Sequence, residues 1–156
     1  MSISINFKKK LKYFDIDISC KCPDSKMLVM IGPSGGGKTT IIRMLAGLAR
    51  PDEGSIVFNS ETWFDSGSGI NVSPQKRKLG YVFQDYTLFP HLSLFENAAF
   101  AAKDRKEVEE LFELFNISHL RNRKPRQVSG GERQRCAICQ ALARHPKILL
   151  LDEPFS

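Results

Sequence analysis

Nine consecutive residues constrain this chain more than any others: Gly32-Pro33-Ser34-Gly35-Gly36-Gly37-Lys38-Thr39-Thr40. An uninterrupted apolar run, Met27 to Ile31, leads into them, and Ile41, Leu45 and Leu48 follow at helical spacing. The run has the length and character of a strand buried on both faces. The glycines let the backbone curl until successive amides point inward at an anion. The helix that follows adds its free N-terminal amides and the positive end of its dipole. Lys38 supplies a fixed positive charge for the outer phosphates of a nucleotide, and the Thr39 hydroxyl suits Mg²⁺. Strand, glycine turn and helix together predict an α/β core with a phosphate-binding loop, and 156 residues suffice for one such core.

Two further segments extend that chemistry. Ile148-Leu149-Leu150-Leu151 is an apolar strand that ends in Asp152 and Glu153. Buried parallel strands present their C-terminal ends to the ligand crevice, so Asp152 is expected to reach Mg²⁺ and Glu153 to orient or deprotonate an attacking water. Phosphoryl transfer asks a protein mainly for positioning and charge stabilisation, which makes accurate placement of both acids the main requirement. The second segment, Ser129-Gly130-Gly131-Glu132, opens another helix with a hydroxyl and two unencumbered amides, again an arrangement that faces phosphate. Ser129 lies 91 positions after Lys38 and 23 before Asp152.

The rest of the chain reads as scaffold. Ile3 to Phe7 and Tyr13 to Ile18 alternate apolar and polar residues, which predicts an antiparallel pair joined through the lysine run at 8–10. Ser55 to Phe58 and Leu79 to Gln84 read as short strands, and Asp65 to Gly69 as a loop. Ser93-Leu94-Phe95-Glu96 is a capping box with Leu92 placed as its hydrophobic staple. Val108, Leu111, Phe112 and Phe115 form a helical stripe. A helix over about 132–144 is expected to bury Ile138, Ala141 and Leu142, and Lys147 to Leu151 is the last buried strand. The expected organisation is a first part of the core over 1–84, a helical subdomain over 85–128, and the second helix and last strand over 129–156.

Charge and cysteine narrow the field. Lys and Arg total 23 against 17 acids, a net +6, in short clusters at 8–12, 76–78 and 121–126. This excess reads as solvated surface plus phosphate chemistry, and no nucleic-acid partner is expected. Cys136 and Cys139 have Cys-x-x-Cys spacing but fall in a helical segment. They and the strand pair Cys20 and Cys22 read as buried or half-buried small side chains rather than a metal or redox site. No apolar run approaches the roughly 20 residues of a membrane helix. The N-terminus lacks the layout of a secretory signal, so a cytosolic setting is expected.

Taken in order, Gly32 to Thr40, Gln84 in Phe83-Gln84-Asp85, Val128 to Arg135 and Ile148 to Pro154 resemble the ATP-binding-cassette (ABC) ATPases over nearly the whole chain. The resemblance implies a P-loop NTPase core with an N-terminal antiparallel β part and an α-helical insert. It implies ATP and Mg²⁺ as cofactors. Ser129, Gly130, Gly131 and Glu132 would form the signature segment, which contacts ATP held by the partner subunit in a head-to-tail dimer. Gln84 would be the glutamine-loop residue that touches Mg²⁺ or the attacking water, and Glu153 the catalytic glutamate. Pro74 to Arg77, Gly80 to Asp85, Leu88 to His91 and the ending Asp152 to Ser156 look most like importer subunits, in particular those for molybdate or a related oxyanion. That implies a membrane permease as partner, a substrate-binding protein further off, and a place on the cytoplasmic face of the membrane. Tyr86, Leu88, Phe89 and Phe95 are candidates for the groove that receives the permease, or for the insert's own core. The alternatives are a soluble, non-transport ABC ATPase that contacts nucleic acid or the ribosome through the basic clusters, or a nucleotide-binding fragment without turnover.

Two departures accompany the resemblance. The family stacks an aromatic residue on adenine; Tyr13, Phe14 and Phe7 are candidates here, and Tyr13 and Phe14 lie close to Gly32. The family's chain also continues to a D-loop, another strand and a switch histidine, whereas His91, His119 and His145 all precede Asp152. The expectation is therefore a core whose C-terminal part is missing.

Overall fold

The structure, a computed structural model, describes residues 2–153. The ending Pro154-Phe155-Ser156, cited above for its resemblance, lies outside the described residues. The chain forms two compact units, Met1–Arg77 and Lys78–Ser156. The expected segments 85–128 and 129–156 thus share one unit.

In the first unit, period-two patterning works as anticipated. Strand β1 (Ile3–Lys10) turns Ile3, Ile5 and Phe7 inward and Ser4, Asn6 and Lys8 outward. It pairs antiparallel with β2 (Asp15–Cys22), with Ile3 opposite Cys22 and Lys10 opposite Asp15. The lysine run is not the connection that the sequence suggests. Lys8 to Lys10 lie inside β1, and the chain turns at 11–14, where the Leu11 amide donates to the Phe14 carbonyl at 3.0 Å. The lysines tolerate the strand because acids stand opposite: Lys9 pairs with Asp52 at 2.7 Å and Lys8 with Asp17 at 3.5 Å. Strands β3 (Glu53–Phe58), β4 (Glu61–Asp65) and β5 (Ile70–Asn71) complete a sheet ordered β2-β1-β3-β4-β5. Asn59 and Ser60 both adopt left-handed φ values, 49° and 67°, at the two-residue connection of the β3–β4 hairpin.

Helix α1 (Lys38–Ala46) buries Ile42, Met44, Leu45 and Ala46. Leu48, expected on its inner face, lies past the C-cap Gly47 and is exposed. The Arg77 guanidinium, 2% exposed, closes this end of the helix. It donates to the carbonyls of Met44 and Leu45, both at 2.8 Å, and to those of Val72 and Trp63. It also lies 5.5 Å from the Trp63 ring centroid. Burial lowers its pKa to about 10.

Met27 to Ile31 departs from expectation. The run is not a ladder strand, and Met27 and Ile31 are 87% and 94% exposed. A strand buried on both faces needs a neighbour on each side to satisfy its backbone groups. Among the described residues no strand pairs with this run.

The second unit joins a parallel strand pair to a helical cluster. β6 (Leu79–Val82) and β7 (Ile148–Leu151) run parallel, with Leu79 opposite Ile148 and Val82 opposite Leu151. Helices α2 (Leu94–Ala99), α3 (Arg105–Leu114) and α4 (Gly130–Leu142) pack through Leu94, Ala98, Val108, Phe112, Cys136 and Cys139. The stripe Val108, Leu111, Phe112, Phe115 is the packed face of α3, as its spacing predicts. On α4 the buried face is Cys136, Ala137, Cys139 and Ala141, whereas Ile138 and Leu142 are half-buried. Both thiols are pushed up to about 12 by burial, and they donate to the carbonyls of Leu94 and Leu111. They are packing groups in the apolar interior, in keeping with the bland reading. Cys20 and Cys22 are half-buried on β2. Among the described residues no cluster of three or more His, Cys, Asp or Glu could hold a metal, and no helix is long and apolar enough to cross a membrane.

The capping box at Ser93 forms as expected: the Glu96 amide donates to Ser93 Oγ, and the Ser93 amide to Glu96 Oε2. The staple does not form, because the fourth helical residue is Asn97. That side chain is fully buried and donates through Nδ2 to the carbonyls of Phe89, Leu92 and Ser93, while Oδ1 accepts from the Phe89 amide at 2.6 Å. A polar clamp replaces the hydrophobic contact.

Candidate functional site

The phosphate-binding loop belongs to the first unit. Its glycines meet two separate needs. Gly37 caps α1 at φ 83°, and a Cβ there would come within 2.9 Å of Ile16 Cδ1 and 3.4 Å of the Phe14 ring. Gly36 donates its amide to the Pro33 carbonyl at 3.1 Å, and a Cβ on it would press on that same oxygen at 3.0 Å. The loop is therefore tight by construction. Lys38 folds back over it, with Nζ donating to the carbonyls of Gly32 at 3.0 Å and Pro33 at 2.8 Å. Gly32, Ser34 and Gly35 are exposed, and Thr39 and Thr40 half-buried. The first turn of α1 carries no acid to cancel the dipole. Positive charge, exposed loop backbone and a helix start thus converge on one patch, as the sequence implies.

The aromatic candidates separate clearly. Phe7 is fully buried in the sheet, which removes it as a platform for a base. Tyr13 stands out in solvent with Lys12 Nζ 5.1 Å from its ring centroid. Phe14 is partly exposed, and its ring is the one beside Gly37.

The acidic half of the chemistry lies in the second unit, at the C-terminal ends of β6 and β7. Parallel register places Val82 opposite Leu151, so Gln84 and Glu153 each sit two residues beyond the last pair. Gln84 Nε2 donates to Glu153 Oε2 at 3.0 Å. Asp152 is 3% exposed; its amide donates to the Val82 carbonyl, and its Oδ2 accepts from the Tyr81 hydroxyl at 3.0 Å. Glu153 has φ 47°, a left-handed conformation uncommon for a residue with a Cβ and a mark of over-determined, often functional, positions. In the second unit Gln84 offers an amide carbonyl and Asp152 a carboxylate, and in the first unit Thr39 offers a hydroxyl; each is a hard oxygen donor of the kind that suits Mg²⁺.

Ser129 caps α4 and forms a capping box with Glu132. Its amide and hydroxyl both donate to Glu132 Oε2, at 2.7 and 2.8 Å, and these bonds hold the Glu132 carboxyl below its ordinary range. Gly130 and Gly131 are informative by contrast with Gly37. A Cβ on either would meet nothing nearer than 4.0 Å, and neither has positive φ. Among the described residues nothing would obstruct a side chain at either position, so the backbone of this helix start is open to approach.

Comparison with known proteins places the chain in a family. The ABC transporter family profile matches residues 16–156. The chain belongs to that family. It is 44% identical to a sulfate/thiosulfate import ATP-binding protein of Synechocystis over 99% of the chain and 45% of that protein. It is 41% identical to a molybdenum import ATP-binding protein of Pseudomonas aeruginosa, over 99% of the chain and 44% of the relative. It is 42% identical to a trehalose/maltose import ATP-binding protein of Thermococcus litoralis, over 90% and 40%. The chain spans less than half the length of each of these relatives. A solved dimeric ATP-binding cassette, in a post-hydrolysis state with ADP and Pi, superposes with a TM-score of 0.78 at 28% identity, over 99% of this chain and 75% of that one. The fold is accordingly the α/β cassette of the P-loop NTPases, with its antiparallel β part and helical insert.

Two residues of the second unit carry roles that the sequence does not announce. Tyr81 donates to Asp152, yet a tyrosine in a strand reads as packing. Asn97 holds the 89–93 segment, away from that carboxylate in its contacts, yet reads as an ordinary polar helix residue. Of the four groove candidates, Phe95 is core, Tyr86 and Leu88 are half-buried against the helices, and Phe89 is partly exposed beside Phe100, ring centroids 4.7 Å apart.

Proposed function

We propose that this chain binds and hydrolyses ATP as the nucleotide-binding subunit of an ABC importer. The observation that carries this reading is the Gln84–Glu153 hydrogen bond beside the buried Asp152, at the ends of a parallel strand pair in a chain that also holds a complete phosphate-binding loop.

In this reading Gly32 to Thr40 bind the phosphates, with loop amides and Lys38 opposing their charge. Phe14, the partly exposed ring beside Gly37, supports the adenine. Thr39, Gln84 and Asp152 would hold Mg²⁺, which would neutralise phosphate charge. Glu153 takes a proton from water as its oxygen attacks the γ-phosphorus. The bond from that phosphorus to the bridging oxygen breaks, and ADP leaves with the electron pair. Gln84 holds the Glu153 carboxylate through Nε2 and keeps its own carbonyl oxygen available to the cation or water.

Ser129, Gly130, Gly131 and Glu132 face ATP bound by a second copy in a head-to-tail dimer. Open space around both glycines and the helix start behind them suit a phosphate brought by another subunit, and the matching cassette was solved as a dimer. A membrane permease would bind the helical segment on the cytoplasmic face, with a substrate-binding protein beyond it. For cargo we favour molybdate or a related oxyanion, since relatives named for sulfate and molybdenum import are among those most similar; a trehalose/maltose relative is equally close, so the cargo class rests on resemblance alone. Phosphate release from ATP, lost in Glu153→Gln while ATP binding persists, tests the hydrolytic reading. Co-purification with a permease and cargo-stimulated turnover test the transport reading.

A further inference from the structure

Asp152 is a buried carboxylate, and a buried charge must be held by donors or it is costly. Its immediate donor is not part of any recognised loop. Tyr81 stands opposite Leu150 in the parallel register. Two residues along a strand cover about 7 Å, the reach of a phenol, so the Tyr81 hydroxyl arrives at the carboxylate two residues beyond Leu150. It donates to Asp152 Oδ2 at 3.0 Å. The ring itself is fixed, since it packs on Phe83 with centroids 4.1 Å apart.

We propose that Tyr81 is a positioning residue for the divalent cation: its hydroxyl fixes the rotation of the Asp152 carboxylate so that the acid meets Mg²⁺ in the required geometry. This rests on the reading of Asp152 as a cation anchor. A hydrogen bond to an ionised acceptor is among the stronger ones and has a defined direction. A carboxylate held in this way cannot swing about its terminal bond. Mg²⁺ demands near-ideal octahedral geometry, whereas Ca²⁺ accepts looser arrangements. Loss of the hydroxyl therefore penalises Mg²⁺ more than Ca²⁺, which a packing role does not do.

The test measures binding of a fluorescent ATP analogue with chelator, with increasing Mg²⁺ and with increasing Ca²⁺. It is run on the unaltered protein, Tyr81→Phe, Phe83→Leu and Asp152→Asn. In Tyr81→Phe the half-saturating Mg²⁺ concentration is expected to rise about tenfold, the effect of losing one charged hydrogen bond. The Ca²⁺ value is expected to shift less, and affinity in chelator to stay unchanged. Phe83→Leu, which loosens the ring's packing but keeps a hydroxyl able to donate to Asp152, should not separate the two cations. Equal Mg²⁺ and Ca²⁺ shifts in Tyr81→Phe, or none, overturn the proposal if Asp152→Asn still raises the Mg²⁺ requirement. Loss of a cooperative melting transition in Tyr81→Phe also overturns it, because the bond would then be holding the strand pair. If Asp152→Asn leaves the Mg²⁺ requirement untouched, the anchor reading itself has failed.

Discussion

Gln84 and Glu153 lie 69 positions apart in the chain, and their side chains meet through a 3.0 Å hydrogen bond from Nε2 to Oε2. Parallel pairing of two four-residue strands brings them together, because each residue sits two positions past Val82 or Leu151. The bond orients the carboxylate that would accept the proton. Gln84→Ala removes this one bond to the carboxylate and leaves the carboxylate itself in place. Turnover is expected to fall by about tenfold, in line with one charge-assisted hydrogen bond. Glu153→Gln removes the base itself and is expected to cost roughly 10²–10⁴-fold. Single-turnover phosphate release checks both, and equal losses in the two variants would contradict the division of roles.

Lys38 combines two tasks that one substitution separates. Its ammonium closes the loop on the Gly32 and Pro33 carbonyls, and in the proposed reading it supplies the charge for phosphate. Lys38→Ala is expected to weaken ATP binding by roughly 10- to 100-fold, the worth of one or two charged hydrogen bonds. Lys38→Arg keeps the charge but brings a planar fork in place of a compact ammonium. It is expected to recover only part of the affinity by equilibrium binding. Full recovery would mean that charge alone matters.

The chemistry of the site was far more legible than its supports. A phosphate-binding loop is a local object, so its glycines, lysine and threonine can be read from spacing alone. The Ser93 capping box is local as well, and it forms; Ser129 and Glu132, read from the sequence only as a phosphate-facing segment, form a second one. Residues whose partners come from distant sequence were not visible. Asn97 reads as an ordinary helix residue until the 89–93 segment folds over it. Tyr81 reads as strand filler until β7 lies beside it. The β3–β4 hairpin was missed for a different reason: Asn59 and Ser60 need left-handed backbone at both positions, and the pair lacks the glycine that usually announces such a turn. Met27 to Ile31 shows the opposite error. Composition said buried strand, but burial depends on neighbours that an apolar run cannot specify.

Arg77 ties the end of α1 to β4 and the segment after β5 through carbonyls alone, with no carboxylate in the set. Arg77→Met keeps much of the volume and strips the donors from several buried oxygens. A loss of about 3 kcal/mol is expected, since each unsatisfied buried group costs about 1–3 kcal/mol and relaxation recovers part. Gly47→Ala attacks the same junction from the other side. Its Cβ would fall 2.9 Å from the Arg77 guanidinium, at φ 78°. Urea denaturation should show both variants destabilised and the double variant less than additive, because they disrupt one contact. Strict additivity would argue against a shared junction.

Asn97 clamps the segment between Phe89 and Ser93 with three donated bonds and one accepted. Asn97→Asp has almost the same shape but turns the donor end into an oxygen that faces three carbonyls. At neutral pH this is expected to cost about 3 kcal/mol or more, the penalty of a buried charge with the Phe89 amide as donor on one oxygen and carbonyls facing the other. Asn97→Ala should cost less, because it removes the clamp without adding repulsion. Thermal melts at pH 7 rank the two, and a milder effect for Asn97→Asp would overturn the assignment of Nδ2 to the carbonyls.

Glu132 gives a pH dependence whose sign can be worked out. The Ser129 backbone amide and then its hydroxyl hold the carboxyl below its ordinary value of 4.5 in the folded chain. A carboxyl with a lowered folded pKa binds its proton more readily in the unfolded chain. Its contribution to stability is therefore complete above about pH 4.5 and is lost as pH falls through the folded value. Glu96 is lowered in the same direction, first by the Ser93 amide. Glutamine at either position can still close the box but carries no proton equilibrium. The melting temperature of the unaltered protein should therefore exceed that of Glu132→Gln at pH 7, and the gap should narrow as the pH is lowered below about 4.5. The double replacement Glu96→Gln with Glu132→Gln should show a larger gap at pH 7 and the same narrowing. A gap that stays constant as the pH falls would show that the carboxylates are not what the caps hold.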